Sequence, residues 1–207
     1  MPVEGGTSGG KAAAAVEKFA RNPPESALVI FTDGSALDIN NPGPWGGGLV
    51  ARLPKLKETE YVETVIPLGQ GDNKKGEMGG LNGAACVVED ALTQGKIKES
   101  SEVFVFSDST LCIGHVDRGW YFSRWEKLAH ATTRKLRKLR KKVRLALHWV
   151  RGHAGIPGDE MADKAAGTAS RIARDEGEGG AAGSDGKQPG HGSKKTQGNR
   201  RPRRYSG

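Results

Sequence analysis

The sequence predicts an α/β domain built on a mixed sheet, in which an antiparallel meander is extended by strands that enter through helical crossovers. Three observations lead there. Residues 28–31, 47–53 and 60–67 read as three successive strands joined by polar or turn-rich links. Beyond Gly76 the apolar spacing changes to three and four, the period of a helix. The resulting order, βββαβααβα, requires right-handed crossovers to bring in the fourth and fifth strands.

Taken in order, residues 12–20 suit a short helix that Asn22-Pro23-Pro24 ends, and residues 1–25 read as a flexible linker. Leu28-Val29-Ile30-Phe31 is a continuous apolar run, as expected of a buried strand, and it leads into Thr32-Asp33-Gly34. Asn41-Pro42-Gly43-Pro44 is a turn cluster. Residues 76–93 are helical by length and pattern (Met78, Leu81, Ala85, Val88, Leu92), with Gly95 placed to stop them. A strand at 103–106 and a short helix at 109–116 follow. Residues 124–142 form an amphipathic helix whose inner face is Trp125, Leu128, Ala129, Thr132, Leu136 and Leu139. The last strand is 145–150 and the last helix 157–174, with Pro157 suited to an early helical position. Trp125 and Trp149 are expected in the core. Residues 26–174 make one domain, long enough to bury a core, and residues 175–207 lack apolar periodicity and read as a disordered Gly-rich basic tail.

Composition narrows the function classes. Of 207 residues 31 are Gly, no stretch approaches a membrane span, and the start lacks a secretory or transit signature. Cys86 and Cys112 are far apart with no CxxC, so neither a disulfide framework nor a zinc site is indicated. An intracellular monomer, nuclear or cytoplasmic and not secreted, is expected. The net charge of +8 is unevenly placed: seven cations and no acid lie between Lys187 and Arg204, and eight cations and no acid between Arg134 and Arg144. The remainder is acidic. That split predicts a polyanion partner, met in part by the tail, beside a site made of carboxylates.

Four acids fall where strand and helix ends converge. Asp33 follows the first strand, Glu77 opens the first long helix, Asp108 follows the fourth strand, and Asp163 lies early in the last helix. Each alone is an ordinary turn or capping residue. Together they are like charges that need cations, and carboxylate ligands suit Mg²⁺ or Mn²⁺. Two such ions about 3.5–4 Å apart can activate a water and stabilise the leaving oxygen of a phosphodiester.

The blocks Thr32-Asp33-Gly34-Ser35, Asn41-Pro42-Gly43-Pro44, Asn73-Lys74-Lys75-Gly76-Glu77, Ser107-Asp108-Ser109 and the run from Gly152-His153-Ala154-Gly155 to Asp163 resemble the type 1 ribonuclease H signature. They occur in the family's order over residues 28–174. The form of residues 149–158 resembles in particular the ribonuclease H domains of non-LTR retroelement reverse transcriptases. The resemblance implies a ribonuclease H-like fold with a five-stranded mixed sheet ordered 3-2-1-4-5. It implies hydrolysis of the RNA strand of RNA–DNA hybrids with two Mg²⁺ ions (Mn²⁺ as a substitute) on Asp33, Glu77, Asp108 and Asp163. It gives His153 a part in proton handling or product release, and makes Gly34, Ser35, Asn41, Asn73 and Thr110 substrate contacts. Trp120, beside Arg118, is a further candidate for stacking on the hybrid. Two readings stay open: an active hydrolase, or a degenerate hybrid-binding module of a reverse transcriptase. So does the context, a chain acting alone or a piece of a reverse transcriptase polyprotein.

Three departures from the pattern stand out. Gly79, Gly80 and Gly83 weaken the helix that carries Glu77 if it is exposed. Asp159 stands where Asn is usual and adds a charge near Asp163. The basic handle of many relatives is absent, and the 134–144 stripe belongs at the sheet end opposite the carboxylates, where a solvated helix end explains it.

Overall fold

A computed structural model describes residues 8–37, 43–54, 60–122 and 125–181. The elements are α1 (Ser8–Arg21), β1 (Leu28–Ala36), β2 (Gly43–Arg52), β3 (Val62–Gly71), α2 (Asn73–Thr93), β4 (Glu102–Ser107), α3 (Thr110–Arg118), α4 (Glu126–Leu139), β5 (Arg144–Trp149) and α5 (Pro157–Ala181). The strands form one five-stranded sheet in the order β3-β2-β1-β4-β5. The β1–β2 and β2–β3 pairs are antiparallel, whereas β1–β4 and β4–β5 are parallel. The meander-plus-crossover architecture is as the sequence predicts.

Side-chain alternation along the strands separates two cores. Leu28, Ile30, Leu49, Val103, Val105 and Leu145 face one way and pack with Met78, Leu81, Val88, Cys112, Ala129 and Leu136 of α2, α3 and α4. Val29, Phe31, Val50 and Phe106 face the other way, with Ile156 and Ala162 at α5 and Ala20 of α1. The layers are therefore helix, sheet, helix.

Glycine sets how close the helices come. A Cβ on Gly34 would lie 2.3 Å from the Glu77 backbone nitrogen, and one on Gly80 would lie 3.0 Å from the Asp33 carbonyl oxygen. On the opposite face a Cβ on Gly48 would lie 2.2 Å from the Ala166 nitrogen of α5. The glycines of α2 thus lie in a buried seam between helix and sheet, and close packing offsets their low helix propensity.

The helix expected at residues 12–20 is present as α1, longer at its start, and Val16, Phe19 and Ala20 cover apolar sheet surface. Three expectations need correction. The last helix does not stop at Arg174 but continues to Ala181, since no proline interrupts its propagation from packed turns. Trp125 is 36% exposed, not core: it sits at the α4 N-terminus with φ 58° and donates from Nε1 to Asp72 Oδ1 at 2.7 Å. Trp149 is only partly buried. Most of the basic tail lies outside the described residues. Arg140 pairs with Asp117 at 2.6 Å, Lys135 with Glu89 and Arg144 with Glu102, and the β4–β5 register places Arg144 beside Glu102, at the opposite end of β4 from Asp108.

Candidate metal centre

The parallel β1–β4 pairing ends at Thr32–Ser107, so Asp33 and Asp108 follow at adjacent positions on the two strands. Asp33 is inside a strand and not beyond it, because β1 continues in its pairing with β2 to Ala36–Trp45. Glu77 is the fifth residue of α2, whose start is capped by Asp72 accepting from Lys75 N. The glycine seam presses this turn onto β1 and carries the Glu77 carboxylate to the strand ends.

Several bonds hold the Asp108 turn. Trp149 Nε1 donates to the Asp108 carbonyl at 2.8 Å, Thr110 N donates to the same oxygen at 3.1 Å, and Ser109 caps α3. Gly152 leaves room for the acid, since a Cβ there would lie 2.5 Å from Asp108 Oδ2.

One oxygen each of Asp33, Glu77 and Asp108 lies within 4.8 Å of the others. Burial pushes the Asp33 carboxyl up to about 7, with the charge of Asp108 adding to the effect and the Gly34 N–H opposing it. Burial likewise holds Glu77, 8% exposed, well above the usual carboxylate range, helped by Asp108 and Asp33. Asp108 is raised by burial too, against the lowering influence of a backbone hydrogen bond and His153. Glu77 Oε2 and Asp108 Oδ1 are buried with no hydrogen-bond partner among the described residues. Orphaned carboxylate oxygens facing like charges fit a bound cation, and an all-oxygen donor set fits Mg²⁺ or Mn²⁺.

Asp163 stands outside this tight group, although its charge raises both Asp33 and Asp108. Asp159 adds its charge to the centre, as its place near Asp163 leads one to expect. It is 6% exposed, accepts from the His153 backbone N–H, is pushed up to about 6 chiefly by burial, and acts on Asp33 and Glu77. The signal was present, since residues 159 and 163 are four apart and share a helix face. His153 is exposed, adopts φ 54°, and its charge is felt at Asp108 and Asp159.

Of the expected substrate contacts, Gly34 and Ser35 are half-buried on β1 beside Asp33. Asn73 and Thr110 are the exposed first residues of α2 and α3. Asn41 lies outside the described residues. Trp120 follows the far end of α3, and its ring folds back over Gly114 in the middle of that helix, where a Cβ would lie 2.1 Å from Trp120 Cε3. It is 43% exposed, with Arg118 5.4 Å from its ring centroid. Trp45, only 2% exposed, is closed to ligand.

The RNase H family profile matches residues 25–171. The chain belongs to the RNase H family. The ribonuclease H of Rhizobium johnstonii is 33% identical over 148 residues, covering 66% of this chain and 87% of that protein. Among solved structures, LC11-RNase H1 in complex with an RNA/DNA hybrid covers 69% of this chain and 98% of that one, at 22% identity and a TM-score of 0.51. A foamy virus protease-reverse transcriptase covers 69% of this chain and 20% of that one, at 20% identity and a TM-score of 0.52. These structural likenesses establish the five-stranded RNase H-like fold. The profile and the bacterial relatives make the chain a type 1 ribonuclease H, a metal-dependent hydrolase. Among the described residues no helix is long and apolar enough to cross a membrane.

Proposed function

We propose that this RNase H cuts the RNA strand of RNA–DNA hybrids at the Asp33–Glu77–Asp108 cluster, leaving 5′-phosphate and 3′-hydroxyl ends. The observation that carries the reading is the set of three converging carboxylates with two orphaned buried oxygens, in the fold of a ribonuclease H. Two divalent ions bound there, Mg²⁺ for preference, would supply Lewis acidity for hydrolysis of the phosphodiester. Asp33, Glu77 and Asp108 would hold the ions, with Asp163 of α5 as the fourth acid that the family resemblance implies. The protein's part is to hold these acids together where burial and mutual repulsion favour uptake of a proton or of a bound cation. His153, exposed and electrostatically coupled to Asp108, is placed to take up or hand on a proton at its imidazole.

Hybrid selectivity follows from groove shape. Gly34, Ser35, Asn41, Asn73 and Thr110 border the acids in sequence and offer donors and acceptors to the 2′-hydroxyls of a wide minor groove. Trp120, whose ring lies over Gly114 of α3, offers its exposed part to the hybrid. The cations from Lys187 to Arg204 act as a phosphate tether, and removing about four contacts should flatten the salt slope by roughly 0.9 for each. A placement beside non-LTR reverse transcriptases rests on the form of residues 149–158, within a similarity that spans bacterial ribonucleases H and a foamy virus protease-reverse transcriptase.

The deciding experiment is Mg²⁺-dependent cleavage of a labelled hybrid against matched RNA and DNA duplexes. Cleavage confined to the RNA of the hybrid supports the reading. Tight hybrid binding without cleavage would leave the degenerate binding module.

A further inference from the structure

The family match begins at residue 25, yet α1 precedes it and is firmly attached. The Phe19 ring meets Phe104 edge-on at 4.8 Å and lies 5.8 Å from His148. The turn that follows is pinned from the core: Arg52, 0% exposed, donates from Nη2 to the carbonyls of Pro23 at 3.1 Å and Pro24 at 3.0 Å. A helix held at its apolar face and at its exit turn presents its remaining side chains at fixed positions.

Two of those side chains, Glu17 and Arg21, are one helical turn apart and reach the loop that carries His153. Arg21 Nη1 donates to the Gly155 carbonyl at 2.5 Å and Nη2 to the Ala154 carbonyl at 2.6 Å. Glu17 Oε1 pairs with Arg151 Nε at 3.8 Å. The guanidinium fork thus spans consecutive carbonyls just after His153, and Glu17 takes the residue two before it. The loop contains two left-handed residues, His153 at φ 54° and Gly155 at φ 68°. Its inner side is held by Asp159, which accepts the His153 N–H.

We propose that α1 is a brace for the His153 loop, with Arg21 the positioning residue that fixes the backbone from which the His153 imidazole projects. The brace belongs to this chain's N-terminal addition, outside the residues matched to the family, and its kinetic consequence rests on the hydrolase reading above. Arg21 touches no reacting atom and acts through His153.

The test uses the full chain with Arg21→Ala and Arg21→Lys. Amide hydrogen exchange of residues 152–156, measured without substrate, should accelerate about three- to tenfold in Arg21→Ala, the scale of two solvent-exposed charge-assisted bonds. Lysine reaches one carbonyl instead of two and should fall between. In hybrid cleavage Arg21→Ala should lower kcat by a similar factor with KM within about twofold, and the effect should vanish when His153 is already Ala. Unchanged exchange in that loop overturns the proposal. So does an equal loss of kcat in the His153→Ala background, which marks a general structural effect. The exchange arm needs no turnover, so it decides on the brace even where hybrid cleavage itself fails.

Discussion

Replacing Asp33 by Asn should abolish hydrolysis and, without metal, make the fold more stable. In the folded state Asp33 titrates near 7 instead of 3.8, because burial and Asp108 oppose its charge. The folded protein therefore binds more protons than the unfolded chain between those two values, and stability falls as pH rises through that window. The cost starts near pH 4 and is complete above pH 7. A displacement from 3.8 to about 7 corresponds to at most about 4 kcal/mol. Asp33 is only half-buried, so screening and local relaxation reduce this to about 2–3 kcal/mol. Asparagine removes the charge and keeps the oxygen that accepts the Gly34 N–H at 2.7 Å. In EDTA at pH 8 the variant should melt about 5–10 °C above the wild type, by calorimetry or circular dichroism. The gap should close towards pH 4, and saturating Mg²⁺ should shrink it by stabilising the wild type more. Equal melting temperatures in EDTA at pH 8 would refute the claim that these acids are held at an electrostatic cost.

Three further outcomes are expected. His153→Ala should slow single-turnover cleavage about ten- to a hundredfold without abolishing it, since the acids remain; loss as complete as in Asp33→Asn would give His153 a more central role. Asp159→Asn keeps an acceptor for the His153 N–H but removes a charge that raises Asp33 and Glu77, so the acid limb of the pH–rate profile should move to lower pH. An unmoved or upward-shifted limb would contradict that coupling. Gly34→Ala puts a Cβ 2.3 Å from the Glu77 nitrogen and should cost roughly 3 kcal/mol in urea unfolding while sharply lowering activity; a neutral variant would show that α2 can back away from β1.

The order of elements was legible because hydrophobic period is a local property. Runs such as Leu28–Phe31 and the three-four spacing of Met78, Leu81, Ala85 and Val88 specify strand and helix from neighbours alone. The carboxylates were legible as a set because each stands at an element's end or first turns, in blocks that resemble a known signature. Trp125 misled for the same reason. Its spacing fits the inner face of α4, yet the helix starts one residue later and the indole pairs with Asp72 on the surface.

What the sequence by itself determined was which segments become strands and helices, and which acids could meet. What only the tertiary structure decided was distance. Gly34, Gly76 and Gly80 look like helix-weakening or turn residues in one dimension, and become a seam between α2 and β1 only when two surfaces remote in sequence are pressed together. That contact, not Glu77's own neighbourhood, brings its carboxylate to Asp33 and Asp108 and leaves two oxygens unpaired. Arg21 reaches carbonyls 133 and 134 residues away, so no local pattern marks it. Periodicity reads burial along one segment; the electrostatic cost of the centre and the hold on its histidine arise between segments, where only packing fixes separation.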